Sequence, residues 1–266
     1  MQPTARCLAP GFLKRSLDEF KRLSLFALKF EGLKTPTKPL PLITFDSPDS
    51  LSRCKPITAL NNHLRKAPPP LYSPAHAVFR GTISTQLPRD APHIQRTGYA
   101  AWRTLDRGST IFGKTLWDLD LYTYLALHFN SDGRKYFINL QTESIVPTDI
   151  HQHRLYSKTP GEWETVLIKL SEFVRTNHGQ VVEPQREMLT SRVRTVGIGL
   201  IDRMQGPYHL KVAEVWATNA TRDDNILDRV LSKGAVSGLP MKPSRQGRFG
   251  ELKREREKDK DGEGVS

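Results

Sequence analysis

The sequence predicts a mainly β protein whose central part folds as an antiparallel β-sandwich. Short segments in which apolar and polar residues alternate recur from residue 78 to residue 217, and a period of two is typical of β-strands. Turn-forming groups such as Thr159-Pro160-Gly161 and Gln205-Gly206-Pro207 separate these segments. No helical period lies between them. Because parallel α/β folds need such helices, the pattern favours two packed antiparallel sheets.

An amphipathic helix is predicted ahead of the sandwich, over residues 11–30. Ser16 is expected to cap its start, with Glu19 completing a capping box. We expect the helix to pack on the β domain, because its apolar surface is broad. The alternative is a basic-flanked helix that binds a membrane surface or a partner. The apolar stripe consists of Leu13, Leu17, Phe20, Leu23, Ala27 and Phe30, and the basic residues around it are Lys14, Lys21, Arg22 and Lys29.

The elements of the sandwich follow in order along the chain. A proline-punctuated linker over residues 35–41 precedes a first strand at residues 42–46. Residues 50–75 are predicted to be a long loop or disordered insert, since Ala67-Pro68-Pro69-Pro70 does not fit a sheet interior. The remaining strands are predicted at residues 78–84, 99–105, 121–129, 135–141, 163–170, 193–201 and 208–217.

Three regions result from this division of the chain. Residues 1–41 are predicted to hold a targeting segment, the helix and the linker, and residues 42–219 the β-sandwich with its insert at about 50–75. Residues 220–266 are predicted to add a short helix and a disordered, charged tail, because mixed-charge runs are usually solvated.

The stretch from Trp117 to Gln141 is predicted to form a hairpin at the heart of the β domain. Residues 124–129 and residues 135–141 both alternate, and Asp132-Gly133 between them tolerates the positive φ that a tight turn requires. Apolar positions of one strand face should therefore line the core. We expect the core to include Leu127, Ile138, Ile168, Ile198 and Leu210.

Composition limits the range of functions. The net charge of +12 and the pI near 9.8 favour an anionic partner, such as nucleic acid, acidic lipid or an acidic protein surface. The basic and aromatic residues do not form the groove pattern that stacked bases need, so no nucleic acid is expected.

The two cysteines, Cys7 and Cys54, have no CxxC spacing, so neither a zinc site nor a disulfide framework is predicted. No apolar run approaches the ~20 residues of a membrane span. The first residues hold no acid before Asp18, as in a transit peptide.

One motif points to a different class of protein. Residues 108–115, Gly-Ser-Thr-Ile-Phe-Gly-Lys-Thr, match the P-loop pattern of nucleotide-binding proteins. In that class the loop opens a helix whose N-terminus faces the phosphates. The residues after Thr115 instead drift into strand alternation, and parallel βαβ units are absent. Nucleotide binding is therefore kept as a less favoured alternative.

The sequence contains few other candidate catalytic or metal-binding sites. His151 and His153 have the spacing of metal ligands on one strand face, but no carboxylate or cysteine completes a set, and we expect both in an exposed polar loop. No nucleophile elbow or Cys–His pair is present. We therefore expect no enzyme, cofactor or metal. Asp side chains at turns act as backbone-like acceptors, which is the role expected for Asp118, Asp120, Asp132 and Asp202.

A series of short motifs occurs in a characteristic order. The motifs are Gly-Tyr-Ala-Ala-Trp-Arg at 98–103, Asp-Leu-Asp-Leu-Tyr at 118–122, Leu-Ala-Leu at 125–127, Asp-Gly-Arg-Lys-Tyr at 132–136, Gly-Glu-Trp-Glu-Thr-Val at 161–166, Val-Gly-Ile-Gly-Leu at 196–200, Gly-Pro-Tyr-His-Leu at 206–210 and the strand that ends at Trp216. Over residues 42–218 this series resembles the family of the thirty-kilodalton complex I intermediate-associated protein.

The resemblance implies a galactose-binding-like β-sandwich, or jelly roll, in a non-catalytic assembly factor. Proteins similar to this chain hold membrane-arm intermediates of mitochondrial NADH:ubiquinone oxidoreductase while subunits are added. Membrane-arm subunits and other assembly factors are thus the expected partners, together with the inner-membrane surface. The expected location is the mitochondrial matrix, peripheral to the inner membrane.

The structural motif of this resemblance comprises Trp102, Asp118, Asp132, Gly133 and Trp163. For partner binding we select Arg103, Arg134, Tyr136 and Trp163, because arginine and aromatic residues dominate interface energetics. We expect Arg134→Glu, or deletion of residues 11–30, to weaken association and leave the fold intact. The alternative is a carbohydrate- or other ligand-binding module, for which Trp102, Tyr136 and Trp163 would supply stacking faces.

Overall fold

The computed structural model describes residues 11–29, 38–57, 63–67, 75–86, 98–144 and 146–220. Within these ranges one α-helix, α1 (Phe12–Lys29), precedes fifteen strands. The strands are β1 (Leu40–Thr44), β2 (Cys54–Pro56), β3 (His63–Ala67), β4 (His76–Ile83), β5 (Ala100–Thr104), β6 (Ser109–Thr110), β7 (Gly113–Lys114), β8 (Tyr124–Ser131), β9 (Tyr136–Thr142), β10 (Asp149–Leu155), β11 (Trp163–Lys169), β12 (Val174–Asn177), β13 (Gln180–Val181), β14 (Val193–Leu200) and β15 (Gly206–Thr218).

Thirteen of these strands form two large sheets, β6 and β7 form a separate hairpin, and all of the pairing is antiparallel among the described residues. The six-stranded sheet has the order β11-β8-β15-β4-β3, and β1 pairs with the far end of β15. The seven-stranded sheet has the order β13-β12-β10-β9-β14-β5-β2. One apolar cluster contains residues of both sheets, so the sheets pack face to face. The predicted antiparallel β-sandwich is confirmed.

The core follows from strand alternation. On β8, Leu125, Leu127 and Phe129 lie in the apolar cluster, while Tyr124 and His128 are only partly buried on the other face. All five residues predicted for the core are at most 2% exposed: Leu127, Ile138, Ile168, Ile198 and Leu210.

The predicted central hairpin is wrong, because β8 and β9 belong to different sheets. β8 pairs with β11 and β15, whereas β9 pairs with β10 and β14. The turn at Asp132-Gly133, where Gly133 has φ 88°, therefore carries the chain from one layer to the other. Alternation did not separate the two arrangements, because strands in opposite layers present their apolar residues to the same interior.

The predicted loop at residues 50–75 contains regular structure. A 3₁₀ turn (Pro48–Arg53) leads into β2, which pairs with β5, and β3 pairs with β4. The sequence did not indicate β2 and β3, because they contain proline and polar residues. Both are edge strands, which pair on one side only and therefore tolerate such residues. Residues 58–62 and 68–74 lie outside the described ranges.

Helix α1 begins at Phe12, so Ser16 lies inside it and the predicted capping box is wrong. The Ser16 hydroxyl donates to the Phe12 carbonyl oxygen at 2.9 Å and accepts a hydrogen bond from the Ile111 amide at 3.1 Å. Glu19 instead pairs with Arg22 at 2.7 Å. The helix thus contacts the β domain at the hairpin formed by β6 and β7. Leu13, Leu17 and Phe20 of its apolar stripe nevertheless remain exposed, so the expected packing of this stripe on the β domain is found only in part. The predicted targeting segment and C-terminal tail lie outside the described residues.

Candidate functional site

The four residues selected for partner binding do not share a surface. Arg103 lies on β5, where its neighbours Trp102 and Thr104 point into the sandwich, so Arg103 faces outward from the seven-stranded sheet. Trp163 lies on β11 and stacks on His128, on the outer face of the six-stranded sheet. These two side chains are therefore on opposite sides of the sandwich.

Arg134 lies in the β8–β9 connection between the two sheets and links this connection to the β14–β15 loop by hydrogen bonds. Its Nε and Nη2 donate to the two Asp202 carboxylate oxygens at 2.9 and 2.8 Å. Its guanidinium also donates to the carbonyl oxygens of Met204, Gly206 and Pro207 at 2.5, 3.1 and 2.9 Å. The Arg134 side chain is 13% exposed and that of Asp202 only 2% exposed. The geometry gives Arg134 a structural role and changes the expectation that Arg134→Glu leaves the fold intact.

Tyr136 and Trp102 are core residues. Both are almost fully buried, and the Tyr136 hydroxyl donates to Asp132 Oδ2 at 3.2 Å. Burial, together with the Asp132 carboxylate, raises the pKa of Tyr136. The Trp102 ring packs edge-on against Phe45, with ring centroids 5.7 Å apart. Neither ring presents a face to solvent, so the aromatic platform that the carbohydrate-binding alternative requires is not formed.

Three of the four aspartates expected at turns have the predicted role, whereas Asp120 accepts a hydrogen bond from the Thr190 side-chain hydroxyl. Asp118 Oδ1 accepts from the Asp120 amide at 3.1 Å, and Asp132 Oδ1 accepts from the Arg134 amide at 3.0 Å. Asp202 Oδ1 accepts in the same way from the Met204 amide at 3.2 Å. Each carboxylate bonds to the backbone two residues ahead, which is the geometry of an Asx turn.

The outer face of the seven-stranded sheet carries connected polar side chains. Arg103 Nη1 donates to Gln141 Oε1 at 2.7 Å, and the Thr195 hydroxyl donates to the same oxygen at 3.2 Å. Further along the sheet, Gln152 Nε2 donates to Asn139 Oδ1 at 2.9 Å. We define the polar face as Arg103, Asn139, Gln141, Gln152, Thr176 and Thr195, which come from five adjacent strands.

Two glycines of β14 lie level with the middle of the polar face. A Cβ on Gly197 would lie 2.3 Å from the Trp102 carbonyl oxygen and 2.9 Å from Arg103 Cβ. A Cβ on Gly199 would lie 3.1 Å from Asn139 Nδ2. The Arg103 side chain therefore sits against bare backbone. The sequence contains this signal as Val-Gly-Ile-Gly-Leu, but periodicity alone does not assign a glycine to a close approach.

The P-loop-like segment folds as a short β-hairpin. β6 pairs with β7, and the Thr110 hydroxyl closes the turn by donating to the Gly113 carbonyl oxygen at 3.1 Å. The described residues 116–123, which follow Thr115 directly, contain no helix. Lys114 forms an ion pair with Glu143 at 3.1 Å. The segment thus lacks the geometry that a P-loop uses to bind phosphates.

His151 and His153 lie on β10 and face the interior, so the expectation of an exposed polar loop is wrong. His151 is 5% exposed and its Nδ1 has no hydrogen-bond partner among the described residues. Burial lowers the pKa of His151, and the nearby Arg175 guanidinium lowers it further. Sequence periodicity missed this strand because its inward positions include Asp149, which pairs with Arg175 at 2.8 Å. No cluster of three or more potential metal-ligating side chains occurs in the described ranges.

The fold and these surfaces define a class of β-sandwich protein with a polar outer face and an amphipathic helix. No helix among the described residues is both long enough and apolar enough to cross a membrane. The model of the family described as complex I intermediate-associated protein 30 matches residues 62–212. The chain belongs to this family.

The chain is similar in sequence to mitochondrial proteins of this family and in fold to carbohydrate-binding modules. It is 45% identical to "Complex I intermediate-associated protein 30, mitochondrial" of Neurospora crassa, across 82% of the chain and 87% of that protein. It is 30% identical to the protein of the same description from Drosophila melanogaster, across 51% of the chain and 47% of that protein. Among solved structures, a family 11 carbohydrate-binding module of Clostridium thermocellum superposes on the chain with a TM-score of 0.47 and 12% identity. The match covers 70% of the chain and 96% of the module. Similarity at that level supports no inference about ligands.

Proposed function

We propose that this protein is a non-catalytic assembly factor for mitochondrial complex I, which binds membrane-arm assembly intermediates and other assembly factors. The observation that carries the proposal is the 45% identity to a protein named as a complex I intermediate-associated protein, sustained over 82% of the chain. Relatives from Drosophila melanogaster and Mus musculus carry the same description. Because these relatives are named mitochondrial, we place the protein in the matrix, peripheral to the inner membrane.

In this proposal the protein binds its partners through its outer surfaces and not through a pocket of reactive groups. Two segments raised other possibilities from the sequence, and the structure gives both a different role. The P-loop-like residues form the β6–β7 hairpin, and His151 packs inside the sandwich. These placements support an interaction role, in which outward-facing side chains recognise a partner.

The polar face is the surface that we propose for partner binding. Arg103 is half-buried and held by Gln141, and Gln141 is held in turn by Thr195 and by the Pro147 carbonyl oxygen at 2.6 Å. A guanidinium fixed in this way loses little conformational entropy on binding. Arginine is also among the residues that contribute most to protein interfaces. Trp163 remains the candidate on the opposite face of the sandwich.

The test is complementation of a strain that lacks the protein, followed by native gel electrophoresis of complex I intermediates. We expect Arg103→Glu to reduce co-migration of the protein with the intermediates by about tenfold or more, as expected for an interface hot spot. We expect Arg80→Glu, an exposed residue of β4, to leave co-migration unchanged. Trp163→Ala, in the same experiment, tests whether the outer face of the six-stranded sheet contributes to binding.

Steady-state levels and thermal unfolding of each variant separate a loss of binding from a loss of fold. Normal co-migration of a folded Arg103→Glu variant would contradict the assignment to the polar face. If Trp163→Ala alone reduced co-migration, the interface would lie on the six-stranded sheet. If the wild-type protein did not restore complex I in the strain, the proposed function itself would be overturned.

A further inference from the structure

The strongest unexplained feature is an apolar surface shared by α1 and the β6–β7 hairpin. Leu13, Leu17 and Phe20 are 72%, 54% and 55% exposed, and Ile111 and Phe112 at the hairpin tip are 65% and 50% exposed. We define these five residues as the helix–hairpin patch. Exposed apolar side chains are common singly, but a contiguous group of large ones marks an interaction site.

The patch is continuous across the two elements. Leu13, Leu17 and Phe20 recur at the spacing of one helix side. The Phe20 and Phe112 rings stack with centroids 6.4 Å apart and an interplanar angle of 16°. The Ile111 amide donates to the Ser16 hydroxyl at 3.1 Å, which fixes the hairpin tip beside the middle of the helix. The helix therefore presents its apolar side together with two further apolar residues from a distant part of the chain.

The charges beside the patch are positive. Lys14 and Lys21 are exposed and follow Leu13 and Phe20 by one position each. Lys114 on the hairpin is also exposed, but its charge is offset by the ion pair with Glu143. Of the two acids in this part of the helix, Glu19 is paired with Arg22, and the spacing of the helix places Asp18 away from the patch. Large apolar side chains bordered by lysines match the boundary between the acyl chains and the anionic headgroups of a bilayer.

We propose that the helix–hairpin patch docks the protein on an anionic phospholipid surface. α1 lies in the plane of the interface, with Leu13, Leu17 and Phe20 toward the acyl chains. Ile111 and Phe112 insert beside it, and Lys14 and Lys21 contact lipid phosphates. This inference rests on the membrane location included in the proposed function and assigns that contact to particular residues. It also gives residues 108–115, which resemble a P-loop in sequence, a use that involves no nucleotide.

The test is flotation of the purified full-length protein with synthetic vesicles, which contain no protein partner. We expect binding to vesicles of phosphatidylcholine mixed with cardiolipin and much weaker binding to phosphatidylcholine alone, with the difference reduced by added salt. We expect Ile111→Asp to lower the vesicle partition coefficient by at least about tenfold, because an apolar anchor is replaced by a charge of the same sign as the lipid.

Each variant has a matched control. Val181→Asp introduces the same charge at an apolar residue that is 60% exposed on β13, the edge strand of the seven-stranded sheet, to which neither α1 nor the hairpin belongs. The pair Lys14→Glu and Lys21→Glu is matched by Lys55→Glu and Lys169→Glu, which change the net charge equally at exposed positions elsewhere. We expect the first pair to lower binding to anionic vesicles by about tenfold or more, and the second pair to change it little.

Either of two results would overturn the lipid assignment. One is wild-type protein that does not float with cardiolipin-containing vesicles. The other is equal binding of Ile111→Asp and Val181→Asp. If vesicle binding is absent and Ile111→Asp nevertheless reduces co-migration with complex I intermediates, the patch is a protein interface. The proposed function would then stand while this inference fails.

Discussion

Arg134 joins two loops that are far apart in sequence and makes both dependent on one side chain. Its five donors reach Asp202 and three carbonyl oxygens between residues 204 and 207. The carboxylate of Asp202 is almost fully buried. A buried carboxylate that loses its paired cation retains the desolvation penalty without the compensating attraction.

We predict that Arg134→Ala lowers the free energy of unfolding by about 3–5 kcal/mol, because it leaves Asp202 charged, buried and unpaired. The measurement is denaturant unfolding followed by tryptophan fluorescence. Arg194→Ala is the matched control, since Arg194 pairs with the half-exposed Asp106 and should cost at most about 1 kcal/mol.

The double variant Arg134→Ala with Asp202→Asn should recover part of the loss, since the unpaired charge is then removed. Equal destabilisation by Arg134→Ala and Arg194→Ala would contradict this account of Arg134.

His151 is the residue for which burial and charge make stability depend on pH. Burial lowers its pKa in the folded protein, Arg175 lowers it further, and Asp149 opposes them. The ordinary pKa of histidine is near 6.5, so the unfolded chain binds a proton at His151 at a higher pH than the folded protein does. Stability should therefore be full above pH 6.5 and fall as the pH decreases below that value.

We predict that His151→Gln, which cannot titrate, reduces the loss of unfolding free energy between pH 7.5 and pH 5.5, numbers that bracket the ordinary histidine pKa of about 6.5. The measurement is denaturant unfolding at both values. His178→Asn at an exposed turn position is the control and should leave the pH dependence as in the wild type. An unchanged slope in His151→Gln would show that His209, whose pKa burial also lowers, or other groups dominate.

At the scale of elements, the pairing of β5 with β14 depends on a missing side chain. Gly197 is opposite Arg103 in the register, and the strands approach so closely that a Cβ would overlap the Trp102 carbonyl oxygen. Gly199 lies two residues further along β14, and the tightest contact of a Cβ there would be the end of the Asn139 side chain, at 3.1 Å. The two glycines therefore have different structural roles.

We predict that Gly197→Ala lowers the free energy of unfolding by about 1–3 kcal/mol, because the strands must separate to admit the methyl group. Gly199→Ala should cost less than about 1 kcal/mol, since the Asn139 amide can move aside. Thermal unfolding of both variants measures the difference. Similar costs at the two positions would refute the close approach of β5 to β14.

Individual strands differ in how clearly the sequence predicts them. Strands with an apolar inward face, such as β8, β11 and β14, were predicted within a few residues of their bounds. β10 was missed because histidine and aspartate occupy its inward positions, where Arg175 compensates the charge of Asp149. No local pattern contains that information, since Arg175 belongs to another strand.

At the scale of the whole molecule, the layer structure could be predicted but the assignment of strands to layers could not. β8 and β9 follow each other in sequence with a turn that suits a hairpin, yet they lie in opposite sheets. The contacts that hold the observed arrangement are long-range, among them the ion pair of Arg134 with Asp202.

The candidate surfaces show the same limit. Arg103 and Trp163 were selected for their chemistry, which sequence reveals, but their placement on opposite outer faces follows from the layering. The helix–hairpin patch combines residues about a hundred positions apart in the chain, since Ser16 and Ile111 are 95 residues apart. Helical spacing identified its first half, while the second half was concealed within a P-loop-like motif.

The position of β15 has a consequence for how the chain is made. β15 is the last described strand, yet it lies in the middle of the six-stranded sheet and bonds to β8, β4 and β1. While a ribosome is still synthesising the protein, those strands have emerged but their shared neighbour has not. The nascent chain therefore cannot complete this layer until residue 218 has left the exit tunnel, so the domain closes only after nearly all of it has been translated.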